Sequence, residues 1–330
     1  GVNHNGSIDS AKALIDAAAD AGVDLVKFQT FRADNLVSQK ATQAAYQKKN
    51  IGGNDNSQYQ MLKKLALSDE NHHHLIKYCE SKNIAFFSTA FDVNGLDYLH
   101  KFGFQRFKVP SGEITNYLYL KRLAALKLPV ILSTGMANLG EIEAALNVLT
   151  SEGLEREQIT VLHCNTEYPT PMQDVNLKAM LTIQQAFGVP IGYSDHTLGI
   201  EVPIAAVALG ATVIEKHFTL DRNLSGPDHR ASLEPEELKA MVRAIRNIEL
   251  AVGEHGRKEP SPSEIPNKAI ARKSLHLTAP LEKGTIIEAK HLIPLRPGDG
   301  ISPMQWDTVI GRKVTSSLEA GTKLAWSDLG

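Results

Sequence analysis

The chain is poor in cysteine: Cys79 and Cys164 are the only two in 330 residues. Two thiols cannot build a disulfide-stapled secreted scaffold, so a reducing cytoplasm is the default compartment. A basic excess is also missing. Lys and Arg number 35 against 37 Asp and Glu, a net charge of −2, which excludes an obvious binder of nucleic acid or of anionic membranes. Long apolar runs are absent; Pro203–Leu209 falls far short of the ~18 residues that span a bilayer. No Gly-x-Gly-x-x-Gly follows a strand-like run, and there is no Walker-type loop. An initiating Met is lacking too. The opening Gly-Val-Asn-His-Asn-Gly reads like the exit of a strand, so a short strand is expected before Gly1.

What is present is a globular composition, 42% hydrophobic and 22% charged, long enough for about two domains. From Ser7 to Gly253 one rhythm repeats: a short β-rich run, a polar loop, then an amphipathic helix. The strand-like runs are Leu25–Thr30, Ile84–Thr89, Arg106–Val109, Val130–Ser133, Thr160–Cys164, Ile191–Ser194 and Val213–His217. Helical patterns lie between them, as at Ser10–Ala21, Ile142–Leu149 and Leu238–Val252. With the strand expected before Gly1, these make eight βα units over about 250 residues, the arithmetic of a TIM (β/α)8 barrel of the α/β class. The alternative is a doubly wound sheet. Glu254–Pro266 is polar and proline-rich and reads as a linker. Residues 267–330 change texture, with short β candidates at Ser274–Thr278, Thr285–Ile287 and Val309–Lys313 and little helix. The expected organisation is therefore a catalytic barrel over 1–253, a linker over 254–266 and a small β-rich domain over 267–330.

Reactive side chains of a TIM barrel gather at the C-terminal ends of its strands, and every strand end here is polar. Lys27 and Lys108 point toward one mouth, with Thr89, Ser111, Ser133 and Ser194 nearby. Point charges with neutral hydroxyl donors suit a small, highly charged anion carrying phosphate and carboxylate. The alternative is that either lysine pairs with a carboxylate such as Glu113 or Glu215. His196 and His217 end successive strands, about 4.8 Å apart in a sheet. They either share a catalytic divalent ion with open coordination positions or serve as buried hydrogen-bonding side chains. Cys164 has no activating partner in the sequence and reads as an inert packed thiol.

The runs Asn3-His4-Asn5-Gly6, Val26-Lys27-Phe28-Gln29-Thr30, Phe87-Ser88-Thr89, Lys108-Val109-Pro110-Ser111-Gly112-Glu113, Ser133-Thr134-Gly135-Met136, Tyr193-Ser194-Asp195-His196-Thr197, Glu215-Lys216-His217-Phe218 and Gly226-Pro227-Asp228-His229 resemble those of the sialic acid synthases. Arg296-Pro297-Gly298-Asp299-Gly300-Ile301 resembles a type III antifreeze-like (SAF) domain. The resemblance runs through essentially the whole chain and is shared by N-acetylneuraminate, legionaminate and pseudaminate synthases. It implies a TIM barrel followed by the SAF domain, a domain-swapped homodimer, and condensation of phosphoenolpyruvate with an open-chain N-acyl hexosamine with release of phosphate.

By motif match it implies His196 and His217 as ligands of a divalent metal, manganese before magnesium or cobalt. It puts phosphoenolpyruvate on Lys27, Thr89, Lys108, Ser111, Ser133 and Ser194, with Asn165 or Thr166 on the phosphate. The sugar would meet Gln29, Glu113, Tyr168, Asp228 and, from the partner chain, Arg296. Lys27 and Lys108 are the catalytic lysines of this scheme, and Glu113 is the candidate for proton handling. The substrate favoured is N-acetylmannosamine, giving N-acetylneuraminate. A diacetylated hexose giving N,N'-diacetyllegionaminate or pseudaminate is the alternative, and a metal-dependent aldolase or hydrolase is a remote one. No nucleic acid or membrane partner is expected.

Overall fold

The computed structural model describes residues 1–52 and 57–330. Seven parallel strands follow the predicted rhythm: β1 Leu25–Thr30, β2 Ala85–Ala90, β3 Phe107–Val109, β4 Val130–Ser133, β5 Ile159–Cys164, β6 Ile191–Asp195 and β7 Val213–Lys216. β1 pairs with β2, and β3 to β7 pair in sequence order. Helices connect them, so the strands curl into a TIM barrel, as the sequence rhythm predicts.

Local sequence fixes the connecting helices. The helix Ile8–Ala21 starts at Ser7, whose side chain accepts from the Ser10 amide, and it buries Ala11, Leu14, Ile15 and Ala18. The helix Leu139–Ser151 starts in a reciprocal capping box between Asn138 and Glu141. The residue-by-residue alternation of strands sends Val26, Phe107, Val109, Val130, Leu132, Val161, Ile191 and Tyr193 outward into helix-covered core. The opposite faces supply Leu25, Phe87, Ile131, Leu162 and Val213, which pack together inside the barrel. A cavity of about 350 Å³ lies between β1 and β7, with Leu14, Val26, Val213 and Met241 among its walls.

The chain divides into two compact units, Gly1–Gly253 and Glu254–Gly330. Residues 254–266 thus fall with the second unit, whose helix Ile265–Ala271 begins inside the expected linker. Strand β8, Ser274–Leu277, pairs antiparallel with β9, Leu292–Leu295, over a core of Leu275, Leu277, Ile287, Leu292, Ile301, Val309, Val314 and Leu324. Two β expectations are corrected here. Thr285–Ile287 and Val309–Lys313 contribute one isolated bridge, Ile286 to Lys313, and Val309 ends the short helix Trp306–Val309. β9 carries no alternation in the sequence that separates it from loop.

Candidate functional site

Two residues beyond the apolar plug, the same strand faces turn polar. β1 presents Lys27 and Gln29, β2 Thr89, β3 Lys108, β4 Ser133, β6 Ser194 and β7 Glu215. Glu215 is the hub. Its Oε1 lies 3.2 Å from Lys108 Nζ and accepts from Ser194 Oγ at 2.8 Å. Its Oε2 is 3.8 Å from Lys27 Nζ. Lys108 also donates to Ser133 Oγ at 2.6 Å. The lysines therefore pair with Glu215, one of the alternatives open in the sequence, while both remain in one mouth. Burial alone raises the Glu215 pKa, but Lys108 and Lys27 outweigh it and hold the carboxyl well below the usual carboxylate range. Burial pushes the Lys27 ammonium down. Thr89 Oγ1 is buried with no hydrogen-bond partner among the described residues. A hydroxyl placed in this way can bond a ligand oxygen.

Beside this cluster stands an aromatic and imidazole group. The loop after β5 stacks Tyr168 on His196, ring centroids 3.9 Å apart, and packs Tyr46 on Tyr168. The rings of His196 and His217 are 5.3 Å apart. His196 Nδ1 binds the Asn165 carbonyl at 2.5 Å. Burial lowers His196 to about 4 and His217 well below its usual range, so both rings are neutral at pH 7. Asp228 lies 3.5 Å from His217 Nδ1, and burial raises its carboxyl to about 6. His217 Nδ1 itself is buried without a hydrogen-bond partner among the described residues. Two neutral imidazoles with an unsatisfied buried nitrogen fit a divalent cation. Among the described residues no group of three or more His, Cys, Asp or Glu is gathered for a metal, so the pair would leave positions open.

A buried ion pair fixes this arrangement from behind. Asp195 and Lys216 are register partners on β6 and β7. Their side chains meet at 2.5 Å and are 0% and 1% exposed. Each precedes a histidine, so alternation turns His196 and His217 to the opposite side, into the mouth.

The remaining candidates are placed differently. Ser111 Oγ accepts from the Gly135 amide at 3.0 Å. A Cβ on Gly135 would lie 2.5 Å from Thr166 Cγ2 and 2.8 Å from Ser111 Oγ, so Ser111 and Thr166 close on the β4 loop, and only glycine fits between them. Asn165 Oδ1 accepts from the Glu167 amide at 2.8 Å, which commits that oxygen to its own loop. Glu113 ends a single turn, Ser111–Glu113, and its carboxylate accepts from Asn116 Nδ2 at 2.6 Å; burial raises its pKa. Gln29 lies opposite Thr89 in the β1–β2 register. Cys164 is buried, and burial pushes its thiol up, which suits an inert residue.

Arg296 follows β9 in the second unit. The glycines after it serve close packing. A Cβ on Gly298 would lie 2.5 Å from Arg272 Cβ, and one on Gly300 would lie 2.9 Å from the Leu324 carbonyl oxygen. They let the chain pack within its own unit.

Two residues escaped the sequence reading as site members. Glu215 appeared there only as a possible pairing partner, because its 107-residue separation from Lys108 hides their meeting. Asn50, from the helix Ala45–Ile51, donates to the Tyr168 and Pro227 carbonyls at 3.2 and 2.7 Å. Nothing in its local sequence marks it.

Comparison with known proteins gives a consistent result. Residues 14–257 match the model of the NeuB family, and residues 272–330 that of the SAF domain. An N,N'-diacetyllegionaminic acid synthase of Campylobacter jejuni is 54% identical over 97% of this chain and 95% of its own. One from Legionella pneumophila is 48% identical over 100% and 92%. Among solved structures, an N-acetylneuraminic acid (sialic acid) synthetase from Leptospira borgpetersenii in complex with citrate superposes with a TM-score of 0.70. It is 36% identical and covers 81% of this chain and 87% of its own.

Proposed function

The chain belongs to the NeuB family and is a nonulosonic acid synthase, and we propose that it joins phosphoenolpyruvate to an open-chain 2,4-diacetamido hexose. The product is N,N'-diacetyllegionaminate, with release of phosphate. This replaces the N-acetylmannosamine reading favoured on sequence, because the relatives at 54% and 48% identity carry the diacetylated name.

The observation that supports the reading most is the buried Lys27–Glu215–Lys108 cluster with its hydroxyls. Two ammonium groups held in a low-dielectric mouth can take up both ends of a small dianion. Thr89, Ser133 and Ser194 donate to the remaining oxygens. Held in this way, C3 of phosphoenolpyruvate attacks the sugar carbonyl carbon. Positive charge develops at C2, water adds there, and the tetrahedral adduct loses phosphate. Fixing the enol over the carbonyl is where the chain gains most, since orientation removes much of the entropic barrier.

His196 and His217 would hold a divalent metal, manganese in the first place, which supplies a Lewis acid for the carbonyl oxygen. Glu113, its pKa raised by burial, handles protons near the sugar hydroxyls. Asp228, Tyr168 and Gln29 face the sugar, and Arg296 of the partner subunit completes the site in a domain-swapped homodimer. Mixing Arg296→Ala with His217→Ala chains tests the sharing. A heterodimer would then hold one intact site, and activity should return. No return despite proven subunit exchange would mean that each chain completes its own site.

Phosphate release, measured with phosphoenolpyruvate and each sugar in turn, tests the substrate. The 2,4-diacetamido hexose should give the highest kcat/KM. A higher value for N-acetylmannosamine would return the chain to N-acetylneuraminate synthesis. Release of phosphate without a condensed product would point to hydrolysis.

A further inference from the structure

A second cavity, of about 360 Å³, opens where the helix Ala45–Ile51 meets the loop after β7, with Asn50, Arg222, Leu224, Ser225 and Arg230 among its walls. Its size lies in the range of small-molecule sites. Asn50 is the wall shared with the candidate site, through its bonds to the carbonyls of Tyr168 and Pro227. Tyr168 stacks on His196, and Pro227 precedes the Asp228 that faces His217. Asn50 thus ties the cavity wall to the two loops that flank the imidazole pair.

Its two arginines differ. Arg222 is committed: its guanidinium bonds Glu237 and donates to the Ser232 carbonyl at 3.0 Å. Arg230 is exposed at the cavity wall and has no carboxylate and no side-chain hydrogen-bond partner among the described residues, although it is only two residues from Asp228.

We propose that this cavity is the subsite for the part of the sugar remote from the aldehyde, and that Arg230 reads a second acylamino group there. The proposal rests on the chain being a nonulosonic acid synthase. A guanidinium carries five N–H donors and can give one or two of them to an amide oxygen. With Arg222 balanced by Glu237, the cavity holds one uncommitted positive charge. Leu224, 43% exposed, offers an apolar wall to the acyl methyl. A hydroxyl at the same position would reach neither wall as well, so the contact discriminates diacetylated from monoacetylated sugars.

Steady-state kinetics of wild type, Arg230→Ala and Arg230→Lys on three sugars tests this: a 2,4-diacetamido hexose, N-acetylmannosamine and N-acetylmannosamine 6-phosphate. Arg230→Ala should raise KM for the diacetamido sugar about ten- to hundredfold, the value of one hydrogen bond to a charged group. KM for phosphoenolpyruvate and for N-acetylmannosamine should stay within about threefold, and Arg230→Lys should recover part of the loss. Equal losses on both unphosphorylated sugars, or none on either, would overturn the subsite. A loss confined to the 6-phosphate would overturn it in favour of a phosphate reader. If the wild-type enzyme turns over none of the three sugars, the synthase reading falls before any variant is needed.

Discussion

Leu25, Phe87, Ile131 and Val213 stand two residues before Lys27, Thr89, Ser133 and Glu215 on the same four strands. The first set packs into an apolar plug with Leu162; the second belongs to the polar mouth. Two residues along a strand is a rise of about 6.6 Å. Within that step the barrel passes from packing to chemistry, and the cavity between β1 and β7 is lined by both layers, by Leu25, Phe87, Ile131 and Val213 and by Lys27, Glu215 and His217. Burial of Lys108 and Glu215 strengthens the charge interaction between them. Two lysines stay buried there with Glu215 between them.

Substitutions in the two layers should therefore fail in different ways. The largest effect is expected at the mouth. His217→Ala should abolish bound manganese, counted by elemental analysis, and cut turnover by roughly a thousandfold or more, several kcal/mol of lost carbonyl polarisation. Full wild-type activity in excess chelator would remove the metal from the account. Glu215→Ala comes next. It leaves two buried ammoniums without their carboxylate and should cost about 3–5 kcal/mol of stability, read by denaturant unfolding. An unchanged midpoint would mean that the cluster is solvated. In the plug, Leu162→Ala should cost about 2–5 kcal/mol while moving KM for phosphoenolpyruvate less than about twofold, the mark of a purely packing role. A large KM change there would erase the distinction between the layers.

The smallest effect is a pH dependence. His196 is held neutral by burial, down to about 4, whereas the unfolded chain protonates near 6.5. The unfolded state then binds the extra proton, so stability is complete above about 6.5 and is lost as pH falls toward 4. The loss is on the order of 3 kcal/mol. Thermal unfolding of wild type and His196→Phe across that window checks it, and the variant should show the shallower slope.

Strand positions were legible because buried parallel strands leave short β-branched and aromatic runs between helices. The polar C-terminal ends of those runs let Lys27, Lys108, Ser133 and Ser194 be read as one mouth. Hidden were the meetings across the barrel. Glu215 reaches Lys108 from β7 to β3, and no local window shows that approach. Asn50 belongs to the same class. In the second unit, β structure rests on isolated bridges such as Leu281 to Leu318 and Val314 to Leu329. Long-range pairing decides these, and local propensity reads them poorly. Val309, β-branched yet closing a helix, shows the consequence.

Calorimetric titration of phosphoenolpyruvate into metal-free enzyme, without sugar, tests most directly whether the polar layer is the anion site. The wild-type protein should bind one equivalent per chain, and the folded Lys27→Ala/Lys108→Ala double variant should bind at least about a hundredfold more weakly. Undiminished binding by the double variant would contradict the account.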